Sequence, residues 1–199
     1  MKTTLNDITR ISTFAAIIAV LGIPGAISPF GMAVPITLQT LGVMLAGAIL
    51  GWWRGAASVL VVLVLTAAGL PLLSGGRGGI GVFFVPSSGY LLGWVAGAAV
   101  VGAIVHIGAT RPVWWRVALG AVVGGLLVVY AVGIPVMAAM LGLSLADATI
   151  ANLVFVPGDA VKAGLTVMLT LAVWKAYPRA FVTPRREPVA APTPATAVR

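Results

Sequence analysis

Cysteine is absent from the chain, histidine occurs once, and there are four acidic side chains. Without cysteine there is no disulfide framework and no thiol chemistry. With a single His106 besides, an ordinary metal site has too few ligands, and His106 reads as a structural or interfacial residue. Charge of either sign is scarce: Asp, Glu, Lys and Arg make up 8% of 199 residues, where a soluble domain carries about a quarter. No GxxxxGK[ST] motif occurs, so nucleotide hydrolysis by a P-loop is excluded. Paired carboxylates for acid–base work are lacking, and no carboxylate stands deep in an apolar run as a proton relay would. No cofactor is expected. The net charge of +8 suggests nucleic acid, but the basic residues are scattered rather than clustered on one face. What the chain has is 60% apolar residues and 25 glycines, the composition of an all-α membrane protein that crosses the bilayer several times.

The gaps between charges divide the chain. No charged residue occurs in 11–53, 55–76, 78–110 or 117–146, and a spanning helix needs roughly 20 mainly apolar residues. The expected spans are 10–27, 37–53, 54–70, 88–108, 113–141 and 157–177, a six-helix bundle forming one domain over 1–177. Pro29, Gly31 and Pro35 turn the chain between the first two. Gly51-Trp-Trp-Arg-Gly55 makes a very tight interfacial turn, its tryptophans suited to the aromatic belt. The fifth span is expected to tilt or kink near Pro135. Residues 178–199, rich in proline, read as a disordered tail.

Six spans put the N-terminus, the second and fourth connections and the tail on one side. That side holds Lys2, Arg10, Arg54, Arg111, Arg116, Lys175, Arg179, Arg185, Arg186 and Arg199, ten of the twelve basic residues. Positive charge near span ends marks the cytoplasmic face, so both termini are expected in the cytoplasm. The first apolar run continues past any signal-peptide length and is expected to stay attached.

Four charges remain outside that pattern: Arg77, Asp147, Asp159 and Lys162. In Phe155-Val-Pro-Gly-Asp159-Ala-Val-Lys162, Pro157 and Gly158 break the backbone before a helix. Asp159 then falls in the first turn and Lys162 three residues on, on the same face. Charge at mid-membrane costs roughly 2.5–3.5 kcal/mol, which favours a polar clamp on a small ligand; the bland reading is a capping Asp beside a snorkelling Lys. Gly69 to Gly79, carrying Arg77, followed by Pro86-Ser-Ser-Gly-Tyr90, reads as a lid over a cavity or as a mere connector. Gly76-Arg-Gly-Gly-Ile-Gly81 fits GxGxxG, but no strand–helix unit surrounds it, so a dinucleotide site is rejected. Gln39 either faces the bundle interior or satisfies a neighbouring helix backbone. Spaced pairs such as Gly47/Gly51, Gly93/Gly97 and Gly120/Gly124 let helices pack closely.

Val34-Pro-Ile-Thr-Leu-Gln-Thr-Leu-Gly-Val-Met44, Gly69-Leu-Pro71, Gly75-Gly-Arg-Gly-Gly79, Pro86-Ser-Ser-Gly-Tyr-Leu-Leu-Gly93 and Pro157-Gly-Asp-Ala-Val-Lys162 resemble BioY, the biotin-specific S component of energy-coupling-factor (ECF) vitamin transporters. The resemblance covers roughly residues 5–177. Ser87-Ser88 stands where the family commonly has Thr-Gly. The resemblance implies an outward-facing biotin pocket closed by the first and third outer loops. It implies transport energised by a transmembrane coupling subunit and two ABC ATPases in trans, with docking through small residues of the first helix such as Ala15 and Ala19. On biotin's chemistry, Asp159 would accept ureido N–H groups, and Lys162 or Arg77 would pair with the carboxylate, or the two ends would be reversed. Tyr90 and Gln39 would be secondary contacts, and Phe30, Gly31 and Met32 would form a gate over the apolar part. The resemblance places the protein in a bacterial-type cytoplasmic membrane. The competing readings are an S component for a different small vitamin, a non-transporting membrane scaffold, and a membrane enzyme for which no catalytic cluster is visible.

Overall fold

The computed structural model describes residues 4–24 and 34–181. These form α1 (Leu5–Val20), α2 (Gln39–Leu50), α3 (Trp52–Ala67), α4 (Ser88–His106), α5 (Trp114–Gly120), α6 (Val129–Leu141), α7 (Leu145–Asn152) and α8 (Val156–Ala176). A π-helical stretch, Ala121–Val128, joins α5 and α6 into one continuous helix. Single 3₁₀ turns lie at Ile80–Phe84, Leu153–Phe155 and Pro178–Ala180. There is no strand among the described residues. Three helical stretches are long and apolar enough to cross a membrane: Ser88–His106, Trp114–Leu141 and Leu145–Ala176. Gln39–Leu50 and Trp52–Ala67 are shorter apolar helices.

α4 is the centre of the bundle, packed against α2, α3, α5, the π stretch and α6. Lipid is as apolar as leucine, so helices associate there through close packing of small residues rather than through hydrophobic exclusion. A side chain on Gly47 would collide with the backbone of Ala98, and one on Gly102 with Gly51 and Trp52. Gly51 alone joins α2 to α3, at φ +83°, a conformation that residues with a Cβ rarely adopt.

Two helices begin differently from the sequence expectation. α1 starts at Leu5, not near residue 10, because Thr4 and Asp7 form a capping box: the Thr4 hydroxyl accepts from the Asp7 amide, and the Thr4 amide donates to the carboxylate. The connection expected between 141 and 157 contains a further helix, α7, and Pro157 and Gly158 do not break the backbone: Leu145–Ala176 runs as one helical stretch through them. Gly142, at φ +65°, ends α6, and Ser144 caps the new helix by accepting the Asp147 amide at 3.1 Å. Both starts carry the pattern Ser/Thr-x-x-Asp, a legible N-terminal signal.

Part of the expected tail is also ordered. Pro178–Ala180 turns the chain back, and Phe181, 5% exposed, packs edge-on to Trp174 with ring centroids 5.1 Å apart. Burying one aromatic ring against Leu41, Leu45 and Ile49 offsets the entropy of ordering four residues. The remainder of that tail, 182–199, lies outside the described residues.

Most of the described basic groups gather at one end of the bundle. There Arg54 Nε bonds Asp7 Oδ1 at 2.6 Å, tying α3 to α1, while its guanidinium lies 4.6 Å from the Trp53 ring centroid. His106 Nε2 lies 2.9 Å from the Ala48 carbonyl, and Arg116 donates to the Ile107 carbonyl.

Candidate functional site

α8 begins at Val156 with Pro157 in its first turn, where the missing amide hydrogen costs nothing. This start puts Asp159 in the first turn and Lys162 one turn on, and Lys162 Nζ lies 2.8 Å from Asp159 Oδ1. The two residues are 6% and 5% exposed. A buried ion pair survives only when its remaining donors and acceptors are satisfied. Here Lys162 also donates to Thr40 Oγ1 on α2 at 3.1 Å, and the Tyr130 hydroxyl on α6 donates to Asp159 Oδ2. The result is a continuous polar chain across three helices: Thr40, Lys162, Asp159, Tyr130.

These groups face a cavity of about 620 Å³, counted to its open mouth. Its walls are largely apolar: Ile36, Leu91, Trp94, Val129 and Phe155. Tyr90 and Phe155 pack at 6.4 Å with rings tilted by 60°. The Tyr90 hydroxyl donates to Asn152 Oδ1 at 2.8 Å, and Asn152 is buried, so α7 is fastened to the cavity wall through this bond. Gly133 faces the Tyr90 ring so closely that no side chain fits between them. The π stretch also borders the site, presenting Gly125 to the cavity; π-helical segments recur at functional positions because they displace side chains from the regular register.

Arg77 lines the same cavity from the loop between α3 and α4. Its Nε donates to the Ser74 carbonyl at 3.2 Å, and no carboxylate pairs with it among the described residues. Gln39 does more than line the cavity. Its amide nitrogen donates to the Ile18 and Leu72 carbonyls, and its oxygen accepts the Ser74 amide at 3.1 Å. One buried amide therefore binds α1 to the loop that carries Arg77. The backbone-satisfying role is thus present alongside a place in the lining.

The structure brings Asp159, Lys162, Arg77, Tyr90 and Gln39 to one cavity. Phe30, Gly31 and Met32 lie outside the described residues. Ala15 is 6% exposed and turned into the bundle, and Ala19 is half-buried, so the accessible alanine on that turn is Ala16. Sequence reasoning missed Tyr130, Asn152 and Trp94. Tyr130 had a signal: it is the single polar side chain between Arg116 and Ser144. Asn152 had a weaker one, as an amide five residues before Pro157.

The chain matches the family described as "BioY family" over residues 1–179. It is 45% identical to the biotin transporter BioY of Rhizobium etli over 178 residues, 87% of this chain and 95% of that one. It is also 45% identical to the biotin transporter BioY of Rhodobacter capsulatus over 186 residues, 89% and 97% of the two chains. A crystal structure of the S-component for biotin from an ECF-type ABC transporter superposes with a TM-score of 0.81 at 33% identity, covering 87% of this chain and 95% of that one. With the motifs, the helical bundle and these matches in agreement, the chain belongs to the BioY family.

Proposed function

We propose that the protein is the biotin-binding S component of an ECF-type transporter and takes up biotin across the cytoplasmic membrane. The observation that carries this reading is the cavity's division of labour. Lys162 is already paired with Asp159, whereas Arg77 has no carboxylate among the described residues. A ligand with an anionic end and a polar, uncharged end fits that asymmetry. The biotin carboxylate pairs with the Arg77 guanidinium, whose planar fork suits it. The ureido group lies against Asp159, Tyr130 and Lys162, where a carboxylate accepts its N–H groups and the cation meets its carbonyl. Trp94, Tyr90 and Phe155 cover the apolar ring and chain.

The basic end of the bundle faces the cytoplasm and both termini lie there, since cytoplasmic flanks carry the excess of Lys and Arg. The chain crosses six times, with α5–α6 and α7–α8 each serving as one crossing. α2, at about 18 Å, is short for a crossing. The irregular residues ahead of it line the cavity, where non-helical backbone at membrane depth is tolerated. Energy comes from partner subunits, a transmembrane coupling protein and two ABC ATPases. α1 is the docking helix, through Ala16 and the accessible part of Ala19, with Ala15 supporting the face from within.

The test is binding of biotin and of its neutral primary amide to purified protein. Wild type prefers the acid, and Arg77→Gln removes that preference, by roughly 30-fold if a buried charge contact contributes about 2 kcal/mol. Failure of biotin to bind, with another vitamin carried through purification instead, overturns the reading.

A further inference from the structure

A second concavity opens at the opposite end of the molecule from the ligand cavity. Counted in the same way to its open mouth, it spans about 970 Å³ between α1, the end of α2 and the turn after α8. Arg10 and Arg179 line it, brought together from positions 169 residues apart. Arg10 Nη2 donates to the Arg179 carbonyl at 2.8 Å, which holds the Arg10 fork in place and leaves its other N–H groups free. Neither arginine has a carboxylate partner among the described residues. Asn6 and Tyr177 add a polar rim, and Phe14 and Leu50 make an apolar floor.

We propose that this concavity binds the phosphate headgroup of an anionic phospholipid from the cytoplasmic leaflet. Two arginines line the concavity, and a guanidinium matches a phosphodiester in geometry and charge; basic pockets between membrane helices at the cytoplasmic face suit such headgroups. A lipid is favoured over a soluble anion by what lies beyond the rim. Arg10, Phe14 and Ile17 share one face of α1 at helical spacing, and Ile17 is 37% exposed. That face offers an acyl chain an apolar track from the headgroup into the bilayer. The site needs nothing from the biotin cavity.

Native mass spectrometry of the purified full chain, with added phosphatidylglycerol or phosphatidylcholine of the same acyl composition, tests the proposal. Wild type retains phosphatidylglycerol preferentially, and each arginine removed lowers that preference about fivefold (about 1 kcal/mol per basic residue). Arg10→Gln with Arg179→Gln therefore abolishes it, while Arg111→Gln with Arg116→Gln, at the same end of the bundle, leaves it. Should the first pair fail to fold, Arg10→Gln and Arg179→Gln carry the test singly, each lowering the preference about fivefold. Equal retention of the two lipids by wild type, or survival of the full preference in the glutamine variants, overturns the site. Excess inorganic phosphate leaves the lipid adduct in place; displacement assigns the site to a soluble anion and overturns the lipid.

Discussion

The two ion pairs among the described residues do different work. Asp7–Arg54 joins helices α1 and α3 at the basic end, with Arg54 partly exposed and resting on Trp53. Asp159–Lys162 lies within a single helix, deeply buried, beside a cavity. The first pair adds tertiary structure, because breaking it frees one helix from another. The second ties nothing distant together by itself, and burying two charges costs more than an apolar pair of the same volume. A pair that is costly and makes no tertiary link of its own points to a ligand rather than to the fold.

Four variants separate the roles of the two pairs. The largest effect belongs to Lys162→Ala, which leaves Asp159 buried without its cation. Thermal melting in detergent should show a loss corresponding to about 3–5 kcal/mol, together with loss of biotin binding. Asp159→Asn combined with Lys162→Met removes both charges and should recover most of the stability but none of the binding. A double variant that still binds biotin would show the pair to be structural. Next is Asp7→Ala, which removes a helix cap and a charge-assisted hydrogen bond. Its loss should lower the melting temperature in detergent, with biotin affinity in calorimetry unchanged; a parallel fall in affinity would erase the contrast between the two pairs. The smallest effect is Tyr130→Phe, which leaves Asp159 Oδ2 without its donor. Biotin affinity should drop about fivefold, for a loss near 1 kcal/mol, while the melting temperature moves little.

How much of this was legible beforehand follows a physical division. Charge scarcity read correctly as a helical membrane protein, because the bilayer imposes composition on every residue facing it. Asp159, Lys162 and Arg77 stood out since a charge inside an apolar run needs a reason. Tyr130 and Asn152 did not, because a single hydroxyl or amide costs little and its partner is chosen by tertiary packing. α7 and the true start of α1 were missed where apolar runs were weighed above caps. Ser144-Leu-Ala-Asp147 and Thr4-Leu-Asn-Asp7 outweighed hydropathy locally. The role of Gln39 depended on a loop some 35 residues away, which no local pattern reveals.

Tryptophan placement has an optical consequence. Five of the six indoles, Trp52, Trp53, Trp114, Trp115 and Trp174, stand with Arg10, Arg54, Arg111, Arg116, Lys175 and Arg179 at the basic end, whereas Trp94 is buried in the ligand cavity with Arg77. The protein thus carries one intrinsic fluorophore where its ligand would sit and five at the opposite face, where a phospholipid would. Trp94 is therefore placed to report on occupancy of the ligand cavity without any attached dye.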